Sequence, residues 1–287
     1  MSYQSIIDAD ILQKNLLNDD WRIFDCRFNL MDAEWGRHQY QTGHIPGASY
    51  AHLNEDLSSE IIPGTTGRHP LPNEDVFIKK IQQWGLRKQH QIIIYDQKEG
   101  MFAARLWWML HWCGFENVAV LNGGWFAWQT INGEVEAVQA QASGANGSGI
   151  ADLTCRSEMV VDVDEVLANI TAMKFVLMDA RTEDRYRGEN ETIDVKAGHI
   201  PGAVSSPFVN NVDKAGCFLT QEALKQYYQN KVSCKAVDNI VVYCGSGVTA
   251  THNILAMYHA GLGLAKLYPG SWSEWITVDH RPIATGD

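Results

Sequence analysis

Two tandem α/β units, each a mostly parallel sheet flanked by helices, are what this sequence predicts, and three observations predict them. Four landmarks recur in the same order in the two halves, short β-branched strands alternate with helix-period stretches, and a run of small uncharged residues separates the halves.

The landmarks come first because repetition decides organisation before local structure does. Phe24-Asp-Cys-Arg27 matches Met178-Asp-Ala-Arg181, and Gly43-His-Ile-Pro-Gly-Ala48 matches Gly198-His-Ile-Pro-Gly-Ala203 letter for letter. Ile92-Ile-Ile-Tyr-Asp96 matches Ile240-Val-Val-Tyr-Cys244, and Asn122-Gly-Gly-Trp-Phe-Ala-Trp128 matches Pro269-Gly-Ser-Trp-Ser-Glu-Trp275. A period that long marks duplicated domains, not a solenoid. The expected boundaries are residues 1–137 for the first domain, 138–150 for the linker and 151–287 for the second domain.

In the first unit the pattern predicts a strand at 21–26, a turn at 44–47, a helix at 75–84, a strand at 91–95 and a helix at 101–112. The second repeats this with a strand at 175–180, a helix at 221–229, a strand at 240–243 and a helix at 250–260. Alternation of that kind implies helices on both faces of a parallel sheet. His44 and His199, flanked by Pro and Gly in turns, are assigned to tying down backbone. Trp107, Trp108, Trp112, Trp125, Trp128, Trp272 and Trp275 are assigned to packing.

The 287 residues are 45% apolar, with 24 glycines and 8 prolines, which is enough material for two ordinary globular domains. A formal charge of −11 argues against nucleic acid or an anionic membrane as partner. The most apolar tract, residues 101–121, is interrupted by Arg105, His111 and Glu116, so no membrane span is expected. Cys26, Cys113, Cys155, Cys217, Cys234 and Cys244 form neither a CxxC pair nor a zinc cluster, so reduced thiols and no metal are expected. The first residues have no basic region leading into an apolar core, and a cytoplasmic location is the corresponding expectation.

Chemistry concentrates at Cys244. It ends a predicted buried strand, and Gly245-Ser-Gly247 follow before a helix begins. In open α/β sheets ligands bind at that strand edge, where a helix start aims unpaired N–H groups at the loop. Gly245 and Gly247 let the backbone wrap the sulfur as an anion nest, which favours the thiolate nucleophile. The first unit carries Asp96 at the same place. A carboxylate does not offer the thiolate nucleophile, so that unit is read as catalytically inactive. A Cys-x5-Arg phosphatase loop needs an arginine where this chain has Ala250, which argues against phosphatase chemistry.

Cys244-Gly-Ser-Gly-Val-Thr-Ala250 resembles the active-site loop of rhodanese-family sulfurtransferases, and the Gly-Ser variant is similar to the 3-mercaptopyruvate branch. Residues 268–275 resemble the family's C-terminal motif. The resemblance implies two tandem rhodanese-like domains, each with a five-stranded sheet, of which the second is catalytic. It also implies ping-pong transfer through a Cys244 persulfide, without a cofactor. The donor implied is a small anion, 3-mercaptopyruvate or alternatively thiosulfate; the acceptor is a thiol, a thioredoxin-like protein or cyanide. The alternative to turnover is a sulfur-relay module fed by a partner protein.

Residue by residue, the resemblance assigns substrate binding to Arg185, with Arg187 as a further candidate, and loop contacts to Gly245, Gly247, Val248 and Thr249. It couples Ser246 to a histidine supplied by the first domain, matched by His69 in Gly67-Arg-His-Pro-Leu-Pro72. The aspartate of that relay is replaced by Asn54, with Asp56 two residues on. A second family arginine between Arg187 and Gly198 is missing, and Lys196 is the candidate to replace it.

Overall fold

In the computed structural model, which describes residues 2–137, 153–232 and 236–287, the chain forms two compact units. The first comprises Met1–Ser59, Pro72–Arg156 and Lys214–Phe218, and the second comprises Glu60–Leu71, Ser157–Asp213 and Leu219–Asp287. The linker expected at 138–150 lies outside the described residues. Glu60–Leu71 belongs by its contacts to the second unit, although it precedes most of the first in sequence.

The first unit runs β1 (Ile6–Ile7), α1 (Ala9–Lys14), β2 (Trp21–Asp25), α2 (Trp35–Thr42), β3 (Ala48–Tyr50), α3 (Glu74–Gln83), β4 (Gln91–Tyr95), α4 (Ala103–Trp112), β5 (Val118–Leu121) and α5 (Gly124–Thr130). Its strands form one sheet in the order β1-β5-β4-β2-β3, every pair parallel. Central β4 is buried along its whole length, as a continuous Ile run between two helical layers should be.

The second unit runs α6 (Val163–Ala172), β6 (Val176–Asp179), α7 (Glu183–Arg187), β7 (Val204–Ser205), α8 (Gln221–Val232), β8 (Ile240–Tyr243), α9 (Thr249–His259), β9 (Lys266–Leu267) and α10 (Ser271–Trp275). Its sheet is parallel in the order β7-β6-β8-β9. Four strands stand where five were expected. The place of the fifth is taken by Val160, whose single parallel bridge to Leu267 is too short to make a ladder. No described helix is long and apolar enough to cross a membrane.

The recurring motifs hold the turns in both units. Arg181 lies 2.6 Å from Asp179 Oδ2, donates to the carbonyl of Gly198 at 2.7 Å, and sits over the Trp272 ring. Arg27 repeats this with Asp25, Gly43 and Trp125. His44 and His199 have the structural role expected: their Nδ1 atoms donate to the carbonyls of Tyr40 and Tyr186 at 2.7 and 2.8 Å, and each ring stacks on that tyrosine. Trp107, Trp108, Trp128, Trp272 and Trp275 are fully buried.

The thiols depart from expectation. Cys113, which follows α4, is disulfide-bonded to Cys155, 42 residues on, and both lie in the first unit. Spacing could not reveal this pair, because folding brings the two Cα atoms to 4.0 Å from opposite ends of a long intervening stretch. Cys26, Cys217 and Cys244 are free.

Candidate active site

Strand β8 delivers Cys244 to the C-terminal edge of the second sheet, and α9 starts five residues later. The cysteine is 2% exposed. Its N–H donates to Ser271 Oγ at 3.1 Å, and its carbonyl accepts from Trp272 N at 3.0 Å, so the start of α10 clamps the loop from behind. Gly247 has φ +75°, and a methyl group there would lie 2.4 Å from the carbonyl oxygen of Pro269. Only glycine satisfies both conditions, and this is what lets the loop curl round the sulfur.

The equivalent loop of the first unit shows what this shape does with an anion. Asp96, at the end of β4, is buried and accepts backbone N–H bonds from Lys98, Gly100, Phe102 and Ala103 at 2.8–3.2 Å. Burial pushes its carboxyl above the usual range while those amides oppose the shift. The amides also explain why α4 begins at Ala103 and not at residue 101: the preceding turn is spent on the carboxylate.

Ser246 and His69 meet, but the histidine comes from the second unit and not, as expected, from the first. The hydroxyl lies 2.8 Å from His69 Nδ1, and both residues are 7% exposed. His69 reaches the site from the segment Glu60–Leu71, which is part of the second unit. The approach depends on Gly67, where a methyl group would sit 2.5 Å from the carbonyl oxygen of Gly270. Asp56 lies in the first unit, where it takes Lys80 Nζ at 2.7 Å and His52 N–H at 2.8 Å, and the Asn54 N–H donates to His52 Nδ1 at 3.2 Å.

Arg185, on α7, stands at the loop. A methyl group at Gly245 would be 3.5 Å from its Nη2 and 3.6 Å from its Nη1. Its Nε and Nη2 bind Glu191 at 2.9–3.2 Å, and Nη2 also binds Asp194 at 3.0 Å. Val248 is buried directly before α9, and Thr249 opens that helix.

Two of the expected cations are elsewhere. Arg187 pairs with Glu189 at 3.0 Å and lines a hollow with Glu183, Tyr186, Ser205, Lys231 and Asp287, because two residues along a helix turn a side chain to another face. Lys196 is bound to the exposed Asp279 at 2.7 Å. Sequence reasoning passed over Arg68, which pairs with the buried Asp194. A methyl group at Gly245 would be 2.8 Å from its Nη2. Burial pulls this guanidinium below its ordinary value, Cys244 opposes the shift and Arg185 adds to it, so all three groups share one field. A basic residue directly before His69 was the available signal.

Comparisons with known proteins agree with this geometry. A family profile described as "Rhodanese-like domain" matches residues 8–131 and again 162–277. The chain is 42% identical over 288 residues, covering 100% of both chains, to a Pseudomonas aeruginosa protein named "Probable 3-mercaptopyruvate sulfurtransferase". It is 31% identical to "Thiosulfate/3-mercaptopyruvate sulfurtransferase 2" of Arabidopsis thaliana, over 98% of this chain and 86% of that one. The solved structure of 3-mercaptopyruvate sulfurtransferase from Leishmania major superposes with a TM-score of 0.86 at 29% identity, covering 98% of this chain and 76% of that one. With two matched domains and a cysteine loop at the sheet edge of the second, the chain belongs to the rhodanese family of sulfurtransferases.

Proposed function

We propose that this sulfurtransferase takes its sulfur from 3-mercaptopyruvate, carries it as a persulfide on Cys244, and passes it to a small thiol, a thioredoxin-like protein or cyanide. The observation that carries the donor assignment is the Ser246–His69 hydrogen bond beside Cys244. Desulfuration of a mercapto-keto acid expels a carbon leaving group that must be protonated, and a hydroxyl coupled to an imidazole is suited to that task.

The Cys244 thiolate attacks the donor sulfur. An S–S bond forms, the C–S bond breaks, and its electron pair leaves on the enolate of pyruvate. Ser246 passes a proton to the enolate carbon and is resupplied through His69. Arg185 holds the carboxylate, and the amides of the loop and of the first turn of α9 offset charge at the sulfur. An acceptor thiolate then attacks the outer sulfur of the persulfide, forming a new S–S bond and releasing Cys244 as thiolate.

Intact-mass measurement after addition of 3-mercaptopyruvate tests this. The expected result is the mass of one added sulfur atom, mapped to Cys244 and absent from Cys244→Ser. A steady-state preference for thiosulfate would overturn the donor assignment. Wild-type protein that turns over no free donor would favour relay from a partner protein.

A further inference from the structure

Ser273, in α10, makes two hydrogen bonds that end beside the two members of the Ser246–His69 pair. Its backbone N–H donates to the carbonyl of Gly245 at 2.9 Å, and Gly245 directly precedes Ser246. Its Oγ accepts the backbone N–H of Arg68 at 3.0 Å, and Arg68 directly precedes His69. One residue therefore ties the loop that carries the hydroxyl to the segment that carries the imidazole. Ser273 is buried, and the segment lies tight against it: a methyl group on Gly67 would be 2.7 Å from Ser273 Oγ.

The internal repeat supplies a control. Phe126 holds the place of Ser273 in the matching motif of the first unit, and its N–H donates to the carbonyl of Gln97, the residue after Asp96, at 3.2 Å. That backbone bond belongs to the fold of both halves. The side chains differ. Phe126 is 49% exposed and offers no hydroxyl, whereas the Ser273 hydroxyl takes the incoming segment. Where the loop carries Cys244, this position anchors the chain that brings the histidine; where it carries Asp96, the same position faces solvent.

A hydroxyl and an imidazole exchange a proton only while they stay within hydrogen-bond reach, and residues 60–71, which bring His69, contain neither helix nor strand to hold it there. A displacement of about 1 Å can cost about 100-fold in rate. We infer that Ser273 is a positioning residue for the reaction: its hydroxyl anchors the backbone at Arg68 and so holds His69 against Ser246 for protonation of the carbon leaving group. This rests on the donor reading above and deepens it.

The test is a double-mutant cycle in the full chain, reading kcat at saturating 3-mercaptopyruvate with a small thiol as acceptor. Ser273→Ala keeps the backbone bond to Gly245 and removes only the hydroxyl. It is expected to lower kcat about 10-fold, part of the cost of a misplaced reacting group. In the Ser246→Ala background the same change is expected to alter kcat less than about 2-fold, because residues that act as a unit are not additive. Ser273→Thr, which retains the Oγ, recovers most of the loss.

Wild-type kcat in Ser273→Ala would overturn the inference. So would an equal fold-loss in both backgrounds, since Ser273 would then act on the fold or the nucleophile and not through the pair. The cycle also separates the two levels. If Ser246→Ala itself turns over 3-mercaptopyruvate like the wild type, the proton-delivery reading fails and Ser273 has no pair to position. If Ser246→Ala is slow and Ser273→Ala is not, the reading stands and the inference alone falls.

Discussion

His69 Nδ1 stands 2.8 Å from the hydroxyl of Ser246, joining residues 177 positions apart within one compact unit. If that pair delivers a proton to a carbon leaving group, its loss must fall on one donor and spare the other. Ser246→Ala is expected to reduce kcat with 3-mercaptopyruvate about 100-fold, the lower range for loss of a general acid. With thiosulfate the leaving group is sulfite, which needs no proton on carbon, and the rate should change less than about 3-fold. Parallel steady-state assays check this, and an equal loss with both donors would refute it.

Asp179→Asn tests the buried ion pair that holds the second unit's Gly-His-Ile-Pro turn. Arg181 is 1% exposed and Asp179 0%, so removing the Asp179 charge leaves Arg181, in a low-dielectric interior, with only its longer ion pair to Glu191 at 3.5 Å. The expected destabilisation is about 3–5 kcal/mol, measurable by urea denaturation. The same change made in the first unit, Asp25→Asn, should cost a similar amount.

Reduction of Cys113–Cys155 should weaken the first unit. Closing a loop of 42 residues restricts the unfolded chain, and Cys113→Ser is expected to lose ~2–4 kcal/mol relative to the oxidised protein. Turnover at Cys244 should survive, since both cysteines lie in the other unit. Urea midpoints with and without dithiothreitol, read beside activity, decide the point.

Acid should destabilise the first unit through His111. Burial, reinforced by the Arg156 charge and opposed by the Gln4 carbonyl, lowers this imidazole from 6.5 to about 4. A buried neutral histidine resists protonation while the unfolded chain accepts the proton. Stability is therefore full above about pH 6.5, declines as pH falls towards 4, and loses no more from this group below that. The loss across the window is about 3 kcal/mol. Urea denaturation at pH 7 and pH 4.5 should show it, and His111→Gln should remove most of the difference.

The elements around Cys244 were legible because their signals are local. Ile240–Tyr243 is a short β-branched run that forms β8 residue for residue, and α9 begins one residue before the expected 250. The duplicated Gly-His-Ile-Pro turns were legible as well, since Pro and Gly restrict their own backbone whatever surrounds them. The strand count of the second sheet was not, because a single bridge at Val160 depends on pairing and not on propensity.

What the sequence by itself determined was the repeat, the order of strands and helices, the asymmetry between Asp96 and Cys244, and, through the resemblance of the Cys244 loop to the rhodanese family, the reaction class. Only the tertiary structure decided which charges attend that cysteine. It brought Arg68 to Asp194 across 126 residues, turned Arg187 away, engaged Lys196 with Asp279, and paired Cys113 with Cys155. The reason is physical: backbone preference acts over a few neighbouring residues, whereas ion pairs and disulfides depend on through-space distances that exist only after the sheets have packed.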